Sequence, residues 1–200
     1  MTLINKKIWS PNWSNRPNGI RDVYGVILHH TASPGDSAIG VAQYLARPST
    51  EASAHFIVGD NGYTIQGVSL ERAAWHAGTA RYDFNHDGRI SPSERYVNTH
   101  TIGIEQCNTG KLSDNYPNLQ IKRVAQLILW LDRKCPNLSL RNITDHEAVN
   151  LRGKVDVGAN YPAAKLFWYI LHPKSTMQPP KDVYAQLPKW AQRQCAEIKR

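Results

Sequence analysis

Two histidines and an aspartate, far apart along the chain, have the side-chain types that could hold a catalytic metal ion. His29 ends the apolar run Val-Ile-Leu-His, and His146 precedes Asp156 much later in the sequence. Two imidazole nitrogens and one carboxylate oxygen suit zinc, and three protein ligands leave a fourth position open for water, as catalytic zinc sites do. Lys154 would add a positive charge beside the metal. This combination predicts hydrolysis of an amide or an ester.

The strand that would carry the first histidine is buried on both sides. Residues 23–30 are apolar on both faces, which predicts a central strand with His29 and His30 on opposite sides, His30 being a core residue. Asp36 is the expected N-cap of a helix that continues to about Arg47.

Further elements follow from local patterns. Asn61-Gly62 lies between two apolar runs and predicts a hairpin with a type I′ turn, whose two central residues have positive φ. Residues 72–79 read as a loop or short turn, and residues 101–107 alternate as a strand does. The apolar positions from 118 to 134 recur with a helical period.

The last part of the chain repeats this alternation of strands and helices. Residues 142–145 predict a short strand, and a helix is expected from Pro162 to about Leu171. A last amphipathic helix is expected over residues 181–199, packed on the domain. Strands alternating with helices predict an α/β fold with a central mixed β-sheet flanked by helices on both faces.

Length and composition fit one soluble domain. The expected organisation is an N-terminal arm at 1–22, one domain at 23–172, and a linker and C-terminal helix at 173–200. We find no apolar run of about 18 residues that would span a membrane, and no secretory leader. The three cysteines (Cys107, Cys135 and Cys195) have no paired spacing and are expected to be reduced packing residues.

The formal net charge of +8 favours anionic partners. The lysines and arginines are dispersed and no nucleic-acid motif accompanies them, so no nucleic-acid partner is expected. We expect synthesis in the cytoplasm, and either a function there or release by cell lysis or by a dedicated secretion machine.

Five short motifs occur in a characteristic order: the run ending in His29-His-Thr-Ala-Ser, Ser-Ala-His-Phe-Ile-Val at 53–58, Ala74-Trp-His-Ala-Gly, Ile102-Gly-Ile-Glu, and His146 with Lys154 and Asp156. Together they resemble the zinc-dependent N-acetylmuramoyl-L-alanine amidases of the type 2 class, a superfamily that includes phage lysozyme amidases and peptidoglycan recognition proteins. The resemblance covers about residues 23–170. It implies zinc on His29, His146 and Asp156, and cleavage between the lactyl group of N-acetylmuramic acid and L-alanine.

The resemblance also assigns roles around the metal. A carboxylate must move the proton of the attacking water, and Glu105 suits this role. Lys154 would stabilise the oxyanion of the tetrahedral intermediate. Trp75 and His76 either pack a loop or line the substrate groove. Some phage relatives have a catalytic tyrosine where this chain has Ala54, and this difference favours the branch that uses glutamate.

A second metal motif lies inside the domain. Residues 83–94 resemble an EF-hand calcium loop, with Gly88 at the sharp turn and a bidentate glutamate at the end. The expected calcium ligands are Asp83, Asn85, Asp87, the Arg89 carbonyl and Glu94. An ordinary Asp-Gly turn in a polar insertion fits the same residues. Calcium would have a structural or regulatory role, because a saturated calcium ion offers little Lewis-acid chemistry.

Three functions remain open on sequence alone. The first is a murein amidase, acting either as an endolysin or as a secreted antibacterial effector. The second is a muropeptide-binding protein without catalysis, against which the complete ligand set argues. The third is a zinc endopeptidase that cuts within the stem peptide. The expected partner is peptidoglycan, with an immunity protein if the chain is an effector, and a monomer is expected.

Overall fold

The structure is a computed structural model that describes residues 2–175 and 177–198. Strands in these ranges are β1 (Lys6–Lys7), β2 (Trp13–Asn15), β3 (Gly25–His30), β4 (Phe56–Val58), β5 (Thr64–Gln66), β6 (Arg72–Ala74), β7 (Thr101–Gln106) and β8 (Ile143–Asp145). Helices in the same ranges are α1 (Ala38–Leu45), α2 (Val97–His100), α3 (Asn118–Lys134), α4 (His146–Val149), α5 (Ala163–Leu171), α6 (Val183–Gln186) and α7 (Lys189–Glu197).

The main sheet is mixed, as predicted. Its strands lie in the order β1-β5-β4-β7-β3-β8. The pairs β3–β7, β3–β8, β4–β7 and β1–β5 are parallel, whereas β4–β5 is antiparallel. β2 and β6 form a separate antiparallel pair. The carboxyl ends of the parallel strands β3, β7 and β8 therefore meet along one edge of the sheet.

Helices cover both faces of this sheet, which confirms the predicted fold class. On one face, α3, α5 and α7 pack over Val26, Leu28, Phe56 and Ile104 in the largest core cluster. On the other face, α1 packs over β4 and β5, and Ala42 contacts the cluster of Ile57 and Ile65. Alternate residues of each strand face opposite sides, so the apolar residues of the central strands contribute to both core layers.

The hairpin at β4–β5 is present, but its turn differs from the predicted type. Gly62 has a left-handed φ of 73°, whereas the φ of Asn61 is not positive. The Gly62 N–H donates to the Gly59 carbonyl, so the chain makes a longer loop in which glycine alone takes positive φ. The type I′ prediction is wrong because it required Asn61 to share that conformation.

Two helix boundaries also differ from the predictions. Ser37, rather than Asp36, caps α1, because its Oγ accepts a hydrogen bond from the Gly40 N–H at 3.0 Å. The helix ends at Leu45, before Arg47. The predicted C-terminal helix is two short helices, α6 and α7, because Pro188 follows α6 and interrupts the hydrogen-bond ladder.

The terminal segments are built into the fold. The segment 1–22, predicted as an irregular arm, contributes β1 to the main sheet and β2 to the pair with β6. The segment 72–79, predicted as a loop, begins with β6. At the other end, α7 packs on α5, where the Trp190 ring lies edge-on to Phe167. Residue 176 of the predicted linker and residues 199–200 lie outside the described residues.

None of the helices in the described ranges has the length and hydrophobicity that a bilayer-spanning helix needs. The three cysteines are buried, as expected of packing residues.

Candidate active site

Two neighbouring strands of the main sheet, with the loop that follows α4, bring the predicted metal ligands together. His29 lies near the end of β3, and His146 begins α4 directly after β8, the neighbouring parallel strand. Asp145 caps α4 through a hydrogen bond from the Ala148 N–H to its Oδ1 at 2.9 Å. This cap turns the chain at the edge of the sheet, and the following loop returns Asp156 to the two imidazoles.

The ligand atoms converge within a small volume. The Oδ2 atom of Asp156 lies 2.9 Å from Nδ1 of His146 and 3.4 Å from Nδ1 of His29. All three potential ligand atoms lie within 4.8 Å of one another. Among residues 2–175 and 177–198, these three side chains are the group of His, Cys, Asp or Glu residues whose potential ligand atoms lie close enough together to hold one metal ion.

Each histidine also has a partner on its outer nitrogen. His29 Nε2 lies 3.0 Å from His76 Nδ1, and His146 Nε2 lies 3.1 Å from the Ala77 carbonyl oxygen. The Asn150 amide nitrogen also lies 3.1 Å from His146 Nε2. In the tautomer with its hydrogen on Nε2, His146 donates to the Ala77 carbonyl and its Nδ1 lone pair is available to a metal ion. Metal-binding histidines in proteins are held in this way by acceptors on the outer nitrogen.

The electrostatics of the three groups are those of a cation site. Burial lowers the pKa of His29, against the opposing effect of Asp156. Burial alone would raise the pKa of Asp156, but its close contacts with the rings of His146 and His29 outweigh burial and hold the pKa well below its ordinary value. The two imidazoles and the carboxylate therefore face a common point. This N, N, O donor set fits zinc with a fourth position free.

A further histidine, His30, which was predicted to lie in the core, contacts the aspartate. His30 Nε2 lies 3.2 Å from Oδ1 of Asp156 and 2.9 Å from the Val155 carbonyl oxygen. His30 therefore holds one carboxylate oxygen while the other faces the two ligand histidines. His30 has the predicted character of a satisfied core histidine, since its side chain is largely buried and both ring nitrogens have partners. Those partners include Asp156 on the 151–158 loop, which the sequence did not indicate.

Glu105 lies beside the three predicted metal ligands. In the β3–β7 ladder it is directly paired with His29, so both side chains project from the same face at the same level. Its Oε2 atom is buried and has no hydrogen-bond partner in the described part of the chain. Burial and the Asp156 charge raise the pKa of Glu105 to about 8, and the Lys154 charge opposes them. Such a carboxyl can exchange a proton near neutral pH.

The other predicted residues have different surroundings. Lys154 is exposed on the loop before Asp156. Trp75 is 37% exposed, and its indole N–H donates to Ser14 Oγ at 2.7 Å, so contact with substrate stays a prediction. His76 lies behind His29 rather than on an open surface, because its two ring nitrogens face His29 and Thr101.

A cavity lies in front of Glu105. It has a volume of about 510 Å³, and its walls come from the end of β3 and from α1, with His30, Tyr44 and Glu105 among the lining residues. The size is in the usual range for a small-molecule site. The Glu105 side chain therefore borders a cavity large enough for a ligand.

The 83–94 loop adopts a tight polar turn. Asp83 accepts hydrogen bonds from the N–H groups of Asp87 (3.2 Å) and Gly88 (2.8 Å), and Gly88 has a φ of 80°. Glu94 is buried and accepts from the Ser91 N–H at 2.6 Å and the Phe84 N–H at 2.9 Å. Because Glu94 is engaged by backbone donors, the predicted calcium ligands Asp83, Asp87 and Glu94 do not form a converging group. Calcium binding stays a prediction.

Comparison with known proteins decides the family. The sequence profile of the N-acetylmuramoyl-L-alanine amidase family Amidase_2 matches residues 19–159. The chain belongs to this family. The match includes all three converging ligands and Glu105, which agrees with the resemblance drawn from the five motifs.

Two relatives illustrate the similarity. CwlA of Bacillus subtilis, an N-acetylmuramoyl-L-alanine amidase, is 32% identical over 115 residues, which are 56% of this chain and 37% of CwlA. AmpD of Citrobacter freundii, a 1,6-anhydro-N-acetylmuramyl-L-alanine amidase, is 31% identical over 174 residues, 80% of this chain and 87% of AmpD. This chain thus spans about a third of the length of the Bacillus relatives CwlA and XlyB.

Solved structures share the fold. A selenomethionine derivative of AmpD superimposes with a TM-score of 0.65 at 24% identity, covering 85% of this chain and 95% of AmpD. AmiD of Escherichia coli, solved with anhydro-N-acetylmuramic acid-L-Ala-D-gamma-Glu-L-Lys, gives 0.58 at 22% identity, covering 74% of this chain and 57% of AmiD. At these identities the two structures support the fold.

Proposed function

We propose that this chain is a zinc hydrolase that cleaves the amide between the lactyl group of N-acetylmuramic acid and the L-alanine of the peptidoglycan stem peptide. The observation that carries the proposal is the convergence of His29, His146 and Asp156 beside Glu105, in a member of the amidase family. The names of CwlA and AmpD, and the muropeptide bound to AmiD, support the same substrate class.

His29 Nδ1, His146 Nδ1 and Asp156 Oδ2 would hold the zinc ion. When bound there, zinc supplies Lewis-acid chemistry for the scissile carbonyl and for a water molecule. His30 holds the second oxygen of Asp156, so the carboxylate keeps one orientation. The cavity in front of Glu105 would receive the lactyl and peptide portions of the substrate.

Glu105 performs the proton transfers of the reaction. Its carboxylate accepts a proton from the attacking water and then donates it to the nitrogen of the departing L-alanine. Burial raises the pKa of Glu105 in the zinc-free protein, whereas a bound zinc ion would lower it and so favour the carboxylate form that acts as the base. Lys154, which is exposed beside the ligand loop, supplies positive charge for the oxyanion when the substrate covers it.

Mass analysis of digested murein tests the proposal. Free stem peptides with an L-alanine amino terminus, together with intact glycan strands, are expected from the parent protein and from the exposed-site control Asp132→Asn. Glu105→Gln is expected to lose this product. Cleavage inside the stem peptide would identify an endopeptidase instead, and muropeptide binding without any product would identify a recognition protein.

The biological setting is a separate part of the proposal. The net charge of +8 favours adsorption to an anionic cell wall, which serves an endolysin released at lysis and a secreted antibacterial effector alike. Adsorption to purified walls is expected to weaken as salt is raised. Co-purification of an inhibitory protein encoded beside this chain would select the effector setting and supply the immunity partner.

A further inference from the structure

A line of hydrogen bonds runs from the candidate metal group into the protein. His29 Nε2 lies 3.0 Å from His76 Nδ1, and His76 Nε2 lies 3.2 Å from Thr101 Oγ1. Thr101 Oγ1 in turn lies 2.7 Å from the Val97 carbonyl oxygen. The line therefore begins at a predicted zinc ligand and ends on the backbone of α2.

The last member fixes the direction of every hydrogen bond in the line. The Val97 carbonyl can only accept, so the Thr101 hydroxyl spends its hydrogen there and accepts from His76. His76 must then carry its hydrogen on Nε2, which leaves Nδ1 as an acceptor for His29. His29 consequently carries its hydrogen on Nε2 and directs the lone pair of Nδ1 towards Asp156.

The position of the His76 ring is tightly defined. A Cβ atom at residue 103 would lie 2.5 Å from Cγ of His76, so Gly103 leaves the space that the ring occupies. The His29 and His76 rings meet edge to face, with centroids 5.1 Å apart and planes at 85°. Asn98 Oδ1 accepts from the backbone N–H groups of His76 (3.3 Å) and Ala77 (2.8 Å), which anchors the segment.

We propose that His76 is a positioning residue that, with Thr101, locks His29 in the tautomer and ring orientation needed to bind the metal through Nδ1. His76 touches neither the metal nor the substrate in this arrangement. The inference rests on the proposed zinc site and extends it to residues behind the ligands. It also gives a physical reason for glycine at position 103, because any side chain there displaces His76.

Zinc affinity of the full chain, measured by competition with a chromophoric chelator in the absence of substrate, tests the inference. Thr101→Val keeps the size of a fully buried side chain and removes the acceptor for His76, so zinc affinity is expected to fall about 10- to 100-fold. Thr144→Val is the matched control. Thr144 is equally buried on β8, which is separated from β7 by β3, and its hydroxyl has no hydrogen-bond partner among the described residues. The zinc affinity of Thr144→Val is therefore expected to equal that of the parent.

A second pair of variants separates positioning from packing. His76→Ala is expected to lose affinity to the same extent, whereas His76→Asn restores much of it, because its side-chain oxygen can replace Nδ1 as the acceptor for His29. Nitrogen chemical shifts of the zinc-free protein report the tautomer directly: His29 is expected to be protonated on Nε2 in the parent and mixed in Thr101→Val.

The outcomes distinguish this inference from the proposed function. A parent protein that binds no zinc would refute the zinc site itself. Zinc binding by the parent with equal affinity in folded Thr101→Val and His76→Asn or His76→Ala variants would refute the positioning role alone. Equal loss in Thr144→Val and Thr101→Val would show that the loss comes from the core packing of the sheet and would also overturn the inference.

Discussion

Replacing Glu105 with glutamine is expected to abolish turnover and, at the same time, to stabilise the zinc-free protein at alkaline pH. Burial and the neighbouring Asp156 raise the pKa of Glu105 from 4.5 to about 8 in the folded state. Between these values the unfolded chain has released the proton and the folded chain still holds it. The unfolded state binds fewer protons, so the stability of the parent falls as the pH rises through this window.

The size of the effect follows from the same two values. At about 1.4 kcal/mol for each pKa unit, a rise from 4.5 to about 8 corresponds to at most about 5 kcal/mol of unfolding free energy. Solvent screening of a partly exposed carboxyl makes this an upper value. Below pH 4.5 both side chains are neutral, so the variant and the parent are expected to differ little there.

Urea unfolding of the zinc-free proteins at pH 4 and pH 9 measures the difference. The unfolding free energy of Glu105→Gln is expected to exceed that of the parent by more at pH 9 than at pH 4. Asp132→Asn, which replaces an exposed carboxyl on α3, is expected to show little such change. Asp145, whose pKa burial also raises to about 8, is present in all three proteins and cancels in the comparison. An advantage of the same size at both pH values would refute the reasoning, since it could not come from ionisation of Glu105.

Three further predictions address metal binding and packing. Removal of metal with a chelator is expected to stop hydrolysis, zinc to restore it, and Asp156→Ala to prevent restoration, as followed by product release. Calcium is expected to raise the melting temperature through the 83–94 loop; Asp83→Ala should erase the gain, and no response in the parent would leave an ordinary turn. Gly25→Ala is expected to cost about 1–3 kcal/mol in urea unfolding, because its Cβ would lie 2.5 Å from the Asn142 carbonyl oxygen; an unchanged midpoint would contradict this packing.

The sheet and the grouping of His29, His146 and Asp156 could be predicted from the sequence, because the first depends on apolar runs and the second on the order of the motifs. An apolar run that ends in a histidine places His29 at a strand end whatever the loops do. The order of the five motifs then indicated that His146 and Asp156 would join it. In the structure these side chains converge where the carboxyl ends of β3 and β8 lie side by side.

The surroundings of these ligands could not be predicted in the same way. His30 turns towards Asp156 because the chain leaves the sheet at that residue, which strand alternation cannot foresee. The line from His29 through His76 to Thr101 joins three separate segments, and hydrogen-bond partners across segments leave no local pattern. Asn61-Gly62 identified a hairpin but not its turn type, since the loop geometry depends on Gly59 as well.

The direct pairing of His29 with Glu105 has a consequence for how proteins of this design can diversify. Adjacent strands in a sheet lie about 4.8 Å apart, and the backbone ladder that sets this spacing does not depend on the loops at either end. Lengthening or replacing those loops can therefore change which ligands fit while the imidazole and the carboxyl keep their separation. The loops would therefore determine which ligands fit, and the paired strands would maintain the separation of the two side chains.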